Sequence, residues 1–230
     1  MADQAPQQAE FVERFLDRKA VERYRDRYRT GRHARVNQME RAALRDMLGS
    51  LGRLTTALDL PCGTGRLGDL FAQIADRVIL ADSSQLMLEV AREDLGDGKY
   101  EYLQTHAEQI ALPNDGVDVV FCHRLLNHIP DPAVRARIVQ ELARVSRRYV
   151  LLSCYPPGLR TRLKLTLRNL LGMHDPAKQP ATITEYIDLA QRNGLRVVRR
   201  HVLRRLPVTA ELVLFEKTRA VAITNRPAAA

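Results

Sequence analysis

The 230-residue chain has no tryptophan, only three cysteines and 5% aromatic residues. Three widely spaced thiols, Cys62, Cys122 and Cys154, do not make a disulfide framework. Each ends an apolar run, the pattern of reduced thiols in a cytoplasmic protein. No Cys-x-x-Cys or His-x-x-x-His spacing occurs, so no metal site is expected. No apolar run approaches the roughly 18 residues of a membrane span. The opening MADQAPQQAE lacks a basic segment followed by an apolar stretch, so no secretory signal is expected. Acidic residues are also scarce, 27 against 36 Lys and Arg, for a net charge of +9. That excess fits an anionic partner such as RNA, acidic lipid or a phosphorylated metabolite, or a solvated surface; without a dense basic block interleaved with aromatics, the second reading is favoured.

What is present describes a globular chain, 45% hydrophobic and 27% charged, long enough for a full core. Residues 1–9 and 218–230 read as disordered tails. Residues 10–52 read as a helical cap: Phe11 to Tyr28 and Arg35 to Leu48 have helical apolar spacing, broken at Thr30-Gly31 and stopped at Gly49 to Gly52. Residues 10–35 carry nine Lys or Arg against five Asp or Glu. From 53 to 155, short apolar strands alternate with helices. Thr55–Leu60, Arg77–Ala81, Lys99–Gln104, Val117–Cys122 and Tyr149–Tyr155 read as strands, with a helix capped by Asp131-Pro132 before the last. This rhythm predicts an α/β, Rossmann-like, doubly wound sheet, mostly parallel, with its binding crevice at the strand C-termini. Residues 156–181 interrupt it as a basic amphipathic insertion: Leu159, Leu163, Leu167, Leu170 and Leu171 share one face, and Arg160, Lys164 and Arg168 another. Residues 182–217 finish the core with a helix starting at Thr182 and an antiparallel hairpin, Leu195–Leu203 and Val208–Glu216.

The chain is organised around Ala57 to Leu70, ALDLPCGTGRLGDL. A strand enters a tight glycine turn there, and Arg66 onward reads as a helix with free N–H groups facing the turn. Gly63 to Gly68 satisfies Gly-x-Gly-x-x-Gly, the dinucleotide spacing, and Asp82 ends the next strand. Asp59 in the approach to the turn, and too little chain for a second substrate domain, oppose a nicotinamide cofactor.

Four ordered stretches point elsewhere: LDLPCGTG, ILADSSQLMLEVAR, LQTHAEQIALPNDGVDVVFC and LLNHIPDPAVRARIVQELARV. Together they resemble the motifs of the class I S-adenosylmethionine-dependent methyltransferases, particularly the quinone- and small-molecule-methylating branch. The resemblance covers Thr55 to Tyr155, with a compatible finish through Glu216. It implies a seven-stranded fold and S-adenosylmethionine as cofactor. It further implies Asp59 at the methionine ammonium, with Cys62, Gly63 and Gly65 against the methionyl and ribose portion. Asp82 falls at the ribose hydroxyls, Ser83 and Met87 beside adenine, His106 and Ala107 at the adenine edge, and Cys122 beneath the methionine portion. Pro61 stands where the family has a glycine and His106 where it usually has Asp.

For catalysis, Arg124, Asn127 and His128 follow the fourth strand at the crevice mouth. His128 is the expected base or acceptor-orienting residue, with Arg124 beside it; His123 is as readily a packing histidine. Tyr24, Tyr28, His33 and Arg35 are placed to close over the cofactor, with Arg35 toward its carboxylate. The acceptor is expected to be a small or lipid-linked, anionic metabolite, with peripheral contact at a membrane's inner face through 159–171. A nucleic-acid acceptor (RNA) is the alternative from charge, though no Asn-Pro-Pro-Tyr-type motif follows strand four. A binding or regulatory protein without turnover is the alternative from a different class.

Overall fold

A computed structural model of the chain describes residues 17–155, 167, 170, 182–205 and 208–218. The expected tails, the start of the first helix and nearly all of the 156–181 insertion lie outside these residues; Leu167 and Leu170 are both helical and exposed. The described elements are α1 (Arg18–Asp26), α2 (Gly31–Gly49), β1 (Leu54–Asp59), α3 (Gly68–Ile74), β2 (Ala75–Asp82), α4 (Gln85–Leu95) and β3 (Tyr100–Gln104). They continue with β4 (Val117–Cys122), a 3-10 turn (Leu126–His128), α5 (Pro132–Val145), β5 (Ser146–Cys154), α6 (Ile183–Arg192), β6 (Leu195–Arg205) and β7 (Val208–Lys217).

The seven strands form one sheet in the order β3-β2-β1-β4-β5-β7-β6. β1 to β5 run parallel, and β7 lies antiparallel between β5 and β6. Every residue of β4 is buried, because helices cover both faces, and its run is apolar except for Asp118, which accepts from Thr55 N at 2.8 Å and Arg147 at 3.0 Å. Alternate residues feed two cores. Val120 and Cys122 pack with Ile138 and Leu142 of α5 and Tyr186 of α6, while Val119 and Phe121 pack with Leu44 and Met47 of α2 and Phe71 of α3. A third small cluster, Val21, Met87 and Val90, docks α1 on α4. Arg18–Glu93 and Arg25–Asp94 ion pairs clasp the same two helices.

The caps read from sequence are present: Asp131 accepts from Ala133 N at 2.8 Å, and Thr182 accepts from Glu185 N at 3.1 Å. Several boundaries differ. α2 starts at Gly31, because Thr30 is extended and Gly31 takes a φ of +61°. β2 and β5 begin at Ala75 and Ser146, since ladder pairing recruits polar residues such as Asp76 and Arg147 that a hydrophobic pattern omits. The helix after the glycine turn starts at Gly68 rather than Arg66, and is only seven residues long. Its preceding N–H groups are taken: Gly63 N donates to Asp82, Gly65 N to Cys62 O and Gly68 N to Gly65 O. Three of the amides expected to face the turn are therefore already bonded. No helix of the described residues is long and apolar enough to cross a membrane.

Candidate active site

The strand order reverses between β1 and β4: the chain runs outward through β2 and β3, then returns to β4 beside β1. A crevice must open there, at the strand C-termini. It holds a cavity of about 260 Å³, walled by Asp59 to Thr64, Asp82 to Ser84, Met87, Thr105, and His123 to Leu125, with His128 at its margin. Tyr24, Arg27 and Tyr28 reach in from α1 and the turn after it.

The floor is acidic. Asp59 ends β1, is 1% exposed, and its Oδ1 has no hydrogen-bond partner. Burial pushes its carboxyl up to about 8; Arg66 opposes this and Asp82 reinforces it. Asp82 ends β2, and its two oxygens accept from Gly63 N at 2.9 Å and Ser84 N at 3.0 Å. Burial raises its pKa too, against those backbone donors. Pro61 follows a cis peptide bond. The turn holds both of its neighbours by backbone bonds, Leu60 N to Phe121 O and Cys62 N to Ala81 O, so a missing donor at Pro61 is tolerated.

The two glycines are not equivalent. A Cβ on Gly63 (φ +55°) would meet Tyr24 at 3.6 Å, in the cavity. One on Gly65 (φ +72°) would come within 2.7 Å of Leu95 Cδ1 and 3.2 Å of Ala91 Cβ. Gly65 thus serves close packing of the turn against α4 and does not line the cavity. Gly65→Ala is expected to lower stability by about 1–3 kcal/mol, from the left-handed φ and the crowding, and so the melting temperature by several degrees. Thermal melts check this, and an unchanged melting temperature counts against it.

The opposite wall is cationic and built across the chain. Glu40 of α2 is 2% exposed. It takes a short bond from Arg124, accepts from Tyr155 OH at 2.7 Å, and lies 3.1 Å from Arg66. Burial would raise the Glu40 pKa, but His123, Arg124 and Arg66 outweigh it and hold the carboxyl well below its ordinary range. Arg124, two residues after the end of β4, has a left-handed φ of +58°. Its N–H donates to Ser153 Oγ at 2.8 Å, and its guanidinium also donates to Tyr155 OH at 3.1 Å and Tyr28 OH at 3.0 Å. A non-glycine residue held left-handed by so many bonds is typical of a functional site. Arg66 donates to Asn37 Oδ1 at 2.5 Å and stacks on Tyr28. His123 is buried, stacked on Phe121 at 5.3 Å, with Nε2 3.5 Å from Glu40 Oε2. Burial, partly opposed by Glu40, holds its imidazole down to about 4, so it is neutral near pH 7.

Of the residues singled out from sequence, Asp59, Cys62, Gly63, Asp82, Ser83, Met87, Arg124 and His128 line this cavity. Four do not. Gly65 faces α4, Cys122 and Ala107 are buried in the core beneath, and His106 is exposed in a bridge with Gln109. Thr105 takes the wall position beside them. Arg35 is exposed and off the cavity, where Arg66 and Arg27 stand instead. Glu40, Arg27 and Tyr155 escaped the sequence reading because no local motif surrounds them; Arg66 stands inside the glycine motif, but its partners Glu40 and Asn37 are distant in sequence. The three cysteines are free and buried, and among the described residues no cluster of His, Cys, Asp or Glu is arranged to hold a metal ion.

Known proteins agree with this architecture. Residues 57–148 match the methyltransferase domain family. The ubiquinone biosynthesis O-methyltransferase of Pseudoalteromonas translucida is 39% identical over 90 residues, 38% of each chain. That of Bordetella parapertussis is 32% identical over 115 residues, 49% of this chain and 47% of the relative. The aligned stretch thus spans less than half the length of either relative. Among solved structures, magnesium protoporphyrin IX methyltransferase from Synechocystis PCC 6803 with bound S-adenosylmethionine superposes with a TM-score of 0.70 at 18% identity, covering 94% of this chain and 100% of that one. YcgJ from Bacillus subtilis gives 0.61 at 18% identity, covering 78% and 99%. Those likenesses concern the fold, and the family match over residues 57–148 takes in the end of β1, β2 to β4 and the turns after β1, β2 and β4 that wall the cavity. Residues 57–148 thus carry a methyltransferase domain, set in a sheet that has the fold of the class I S-adenosylmethionine-dependent methyltransferases.

Proposed function

We propose that this protein transfers the methyl group of S-adenosylmethionine to an oxygen of a small-molecule acceptor by in-line displacement. The observation that carries the reading is the unpartnered Asp59 oxygen in the cavity floor. A lone buried carboxylate is costly unless a cation meets it, and the cofactor's ammonium is such a cation. Asp82 keeps lone pairs beyond its two backbone bonds, so it can accept from both ribose hydroxyls. Gly63 admits the cofactor backbone, Ser83 and Met87 border adenine, and Cys62 closes the turn. Arg66 takes the cofactor carboxylate in place of Arg35. His106, Ala107, Cys122 and Gly65 act from behind, shaping the wall.

The bound cofactor supplies a methyl carbon already activated by its sulfonium. The chain's own task is to align an acceptor with it and keep water out. His128, exposed at the margin, orients the acceptor, and Arg124 braces the wall opposite the acidic floor. An oxygen acceptor is supported by the matched relatives, which are O-methyltransferases by name. An anionic one is supported by Arg23, Arg32, Arg35 and Arg45, exposed side chains of α1 and α2 without an ion-pair partner among the described residues.

Calorimetry is expected to show S-adenosylmethionine binding at about micromolar to tens of micromolar concentration. Asp82→Ala should weaken binding by about a hundredfold or more, through loss of the ribose contacts and the Gly63 and Ser84 anchors. Methyl-labelled cofactor offered with catechol, protocatechuate and a long-chain alkylcatechol then ranks neutral, anionic and lipid-like acceptors. Absence of cofactor binding would overturn the reading; protocatechuate methylated no faster than catechol would overturn its anionic part.

A further inference from the structure

Three guanidiniums converge on one phenol. Tyr28 is 6% exposed, lines the cavity, and accepts from Arg27 at 2.8 Å and Arg124 at 3.0 Å. Arg27, Arg66 and Arg124 lie 4.8, 4.5 and 6.0 Å from its ring centroid. The remaining charged or titratable neighbours are Tyr24 and His33, with rings at 5.6 and 6.1 Å, and Glu40 and Tyr155, reached through Arg124. Glu40 is the carboxylate bonded directly to these guanidiniums, and Asp59 faces Arg66 from the floor, where burial pushes its carboxyl up to about 8. Arg27 and Arg124 both donate to the Tyr28 hydroxyl, so its ionised form gains two charge-assisted bonds and the attraction of all three guanidiniums.

From this geometry we infer that Tyr28, as its phenolate, is the catalytic proton acceptor of the methyl transfer, a role that rests on the methyltransferase reading above. As the acceptor oxygen bonds to the methyl carbon, the carbon–sulfur bond breaks and its electron pair stays on sulfur. The acceptor's hydroxyl proton passes to the Tyr28 oxygen and leaves to solvent after product release. No further reactant is needed.

The alternatives in the cavity suit this task less well. His123 is held neutral down to about pH 4, and protonating it beside Arg66 and Arg124 is unfavourable. His128 is exposed, so solvent competes for the proton it would take. The two lid tyrosines are pushed in opposite directions. Burial and then the neighbouring Tyr28 raise the Tyr24 phenol, whereas at Tyr28 burial is outweighed by Arg124, Arg27 and Arg66 and the phenol falls below its ordinary value. Separated values in adjacent groups mark an acid and base assignment.

Tyr28→Phe keeps the ring that Arg27 and Arg66 stack on and removes only the hydroxyl. Its methyl transfer to catechol is expected to fall about a hundredfold or more, with cofactor affinity by calorimetry within about threefold of wild type. Ultraviolet difference titration should show one tyrosine ionising below pH 10 in the wild type and not in Tyr28→Phe. Arg27→Met should move that titration, and the acidic limb of the pH–rate profile, to higher pH, and Arg27→Lys should restore part of the shift. Wild-type rates in Tyr28→Phe would overturn the assignment. If wild type binds cofactor but methylates no acceptor, the methyl-transfer reading fails, and the titration decides Tyr28 alone: no ionisation below pH 10 overturns it.

Discussion

Asp59→Asn is expected to melt at a higher temperature than the wild-type protein near pH 8 and to lose most of its affinity for S-adenosylmethionine. Both effects follow from a carboxylate buried without a hydrogen bond at Oδ1. Its folded pKa, about 8, stands above its ordinary value of 3.8, so between those values the folded state holds a proton that the unfolded state has released. Folding stability therefore falls as pH rises through that window, by an amount on the order of a few kcal/mol. Asparagine has nothing to titrate, so the variant's stability should be flat across it. The gain is expected to be several degrees at pH 8 and to vanish below about pH 3, where the wild-type carboxyl is protonated in both states. Binding moves the other way: with no carboxylate to meet the cofactor ammonium, affinity should drop at least about thirtyfold, as when one partner of a buried charge pair is removed. Melts at the two pH values and calorimetry check both halves. An equal loss of stability at both pH values would refute the account.

Glu40→Ala has the largest expected cost to stability. It leaves Arg66 and Arg124 facing each other beside the cavity with their shared carboxylate gone, and strands the Tyr155 hydroxyl. Removing one partner from a buried ion-pair network costs about 3–5 kcal/mol, a large part of the stability of a typical domain. Because Glu40 is held below its ordinary value of 4.5, its contribution is fully present above that value and is lost as pH falls through the lower folded value. Wild type and Glu40→Ala should converge in stability as the solution is acidified, and diverge to the full difference at neutral pH. Urea unfolding across that range measures it. A constant difference would mean that lost packing, rather than charge, dominates.

The two aspartates were legible in the sequence because the features that reveal them are local. A strand, a glycine turn and a helix lie within 14 residues around Asp59, and Asp82 ends the next apolar run. The caps at Asp131 and Thr182 were legible for the same reason, since each bonds an amide two or three residues away. The final hairpin and the run of β4 followed from hydrophobic pattern alone, because burial on one face or two writes itself into residue alternation. Less legible were the roles within the turn. Gly63 and Gly65 look alike in sequence, and only the position of Leu95 and Ala91 tells the cavity glycine from the packing glycine.

By itself, then, the sequence determined the parallel sheet, the glycine turn and its acidic floor, all set by interactions spanning a few residues and by the apolar period of each element. Only the tertiary structure decided the opposite wall. Glu40 meets Arg124 across 84 positions and Tyr155 across 115, and Tyr28 meets Arg124 across 96. The reversal of strand order between β1 and β4 brings those segments to one crevice, where α1 and α2 close over it. Exclusion of water there turns ordinary surface residue types into a coupled network, because charges sparsely spread along a chain acquire partners, and shifted acidities, only once burial removes the solvent that screened them.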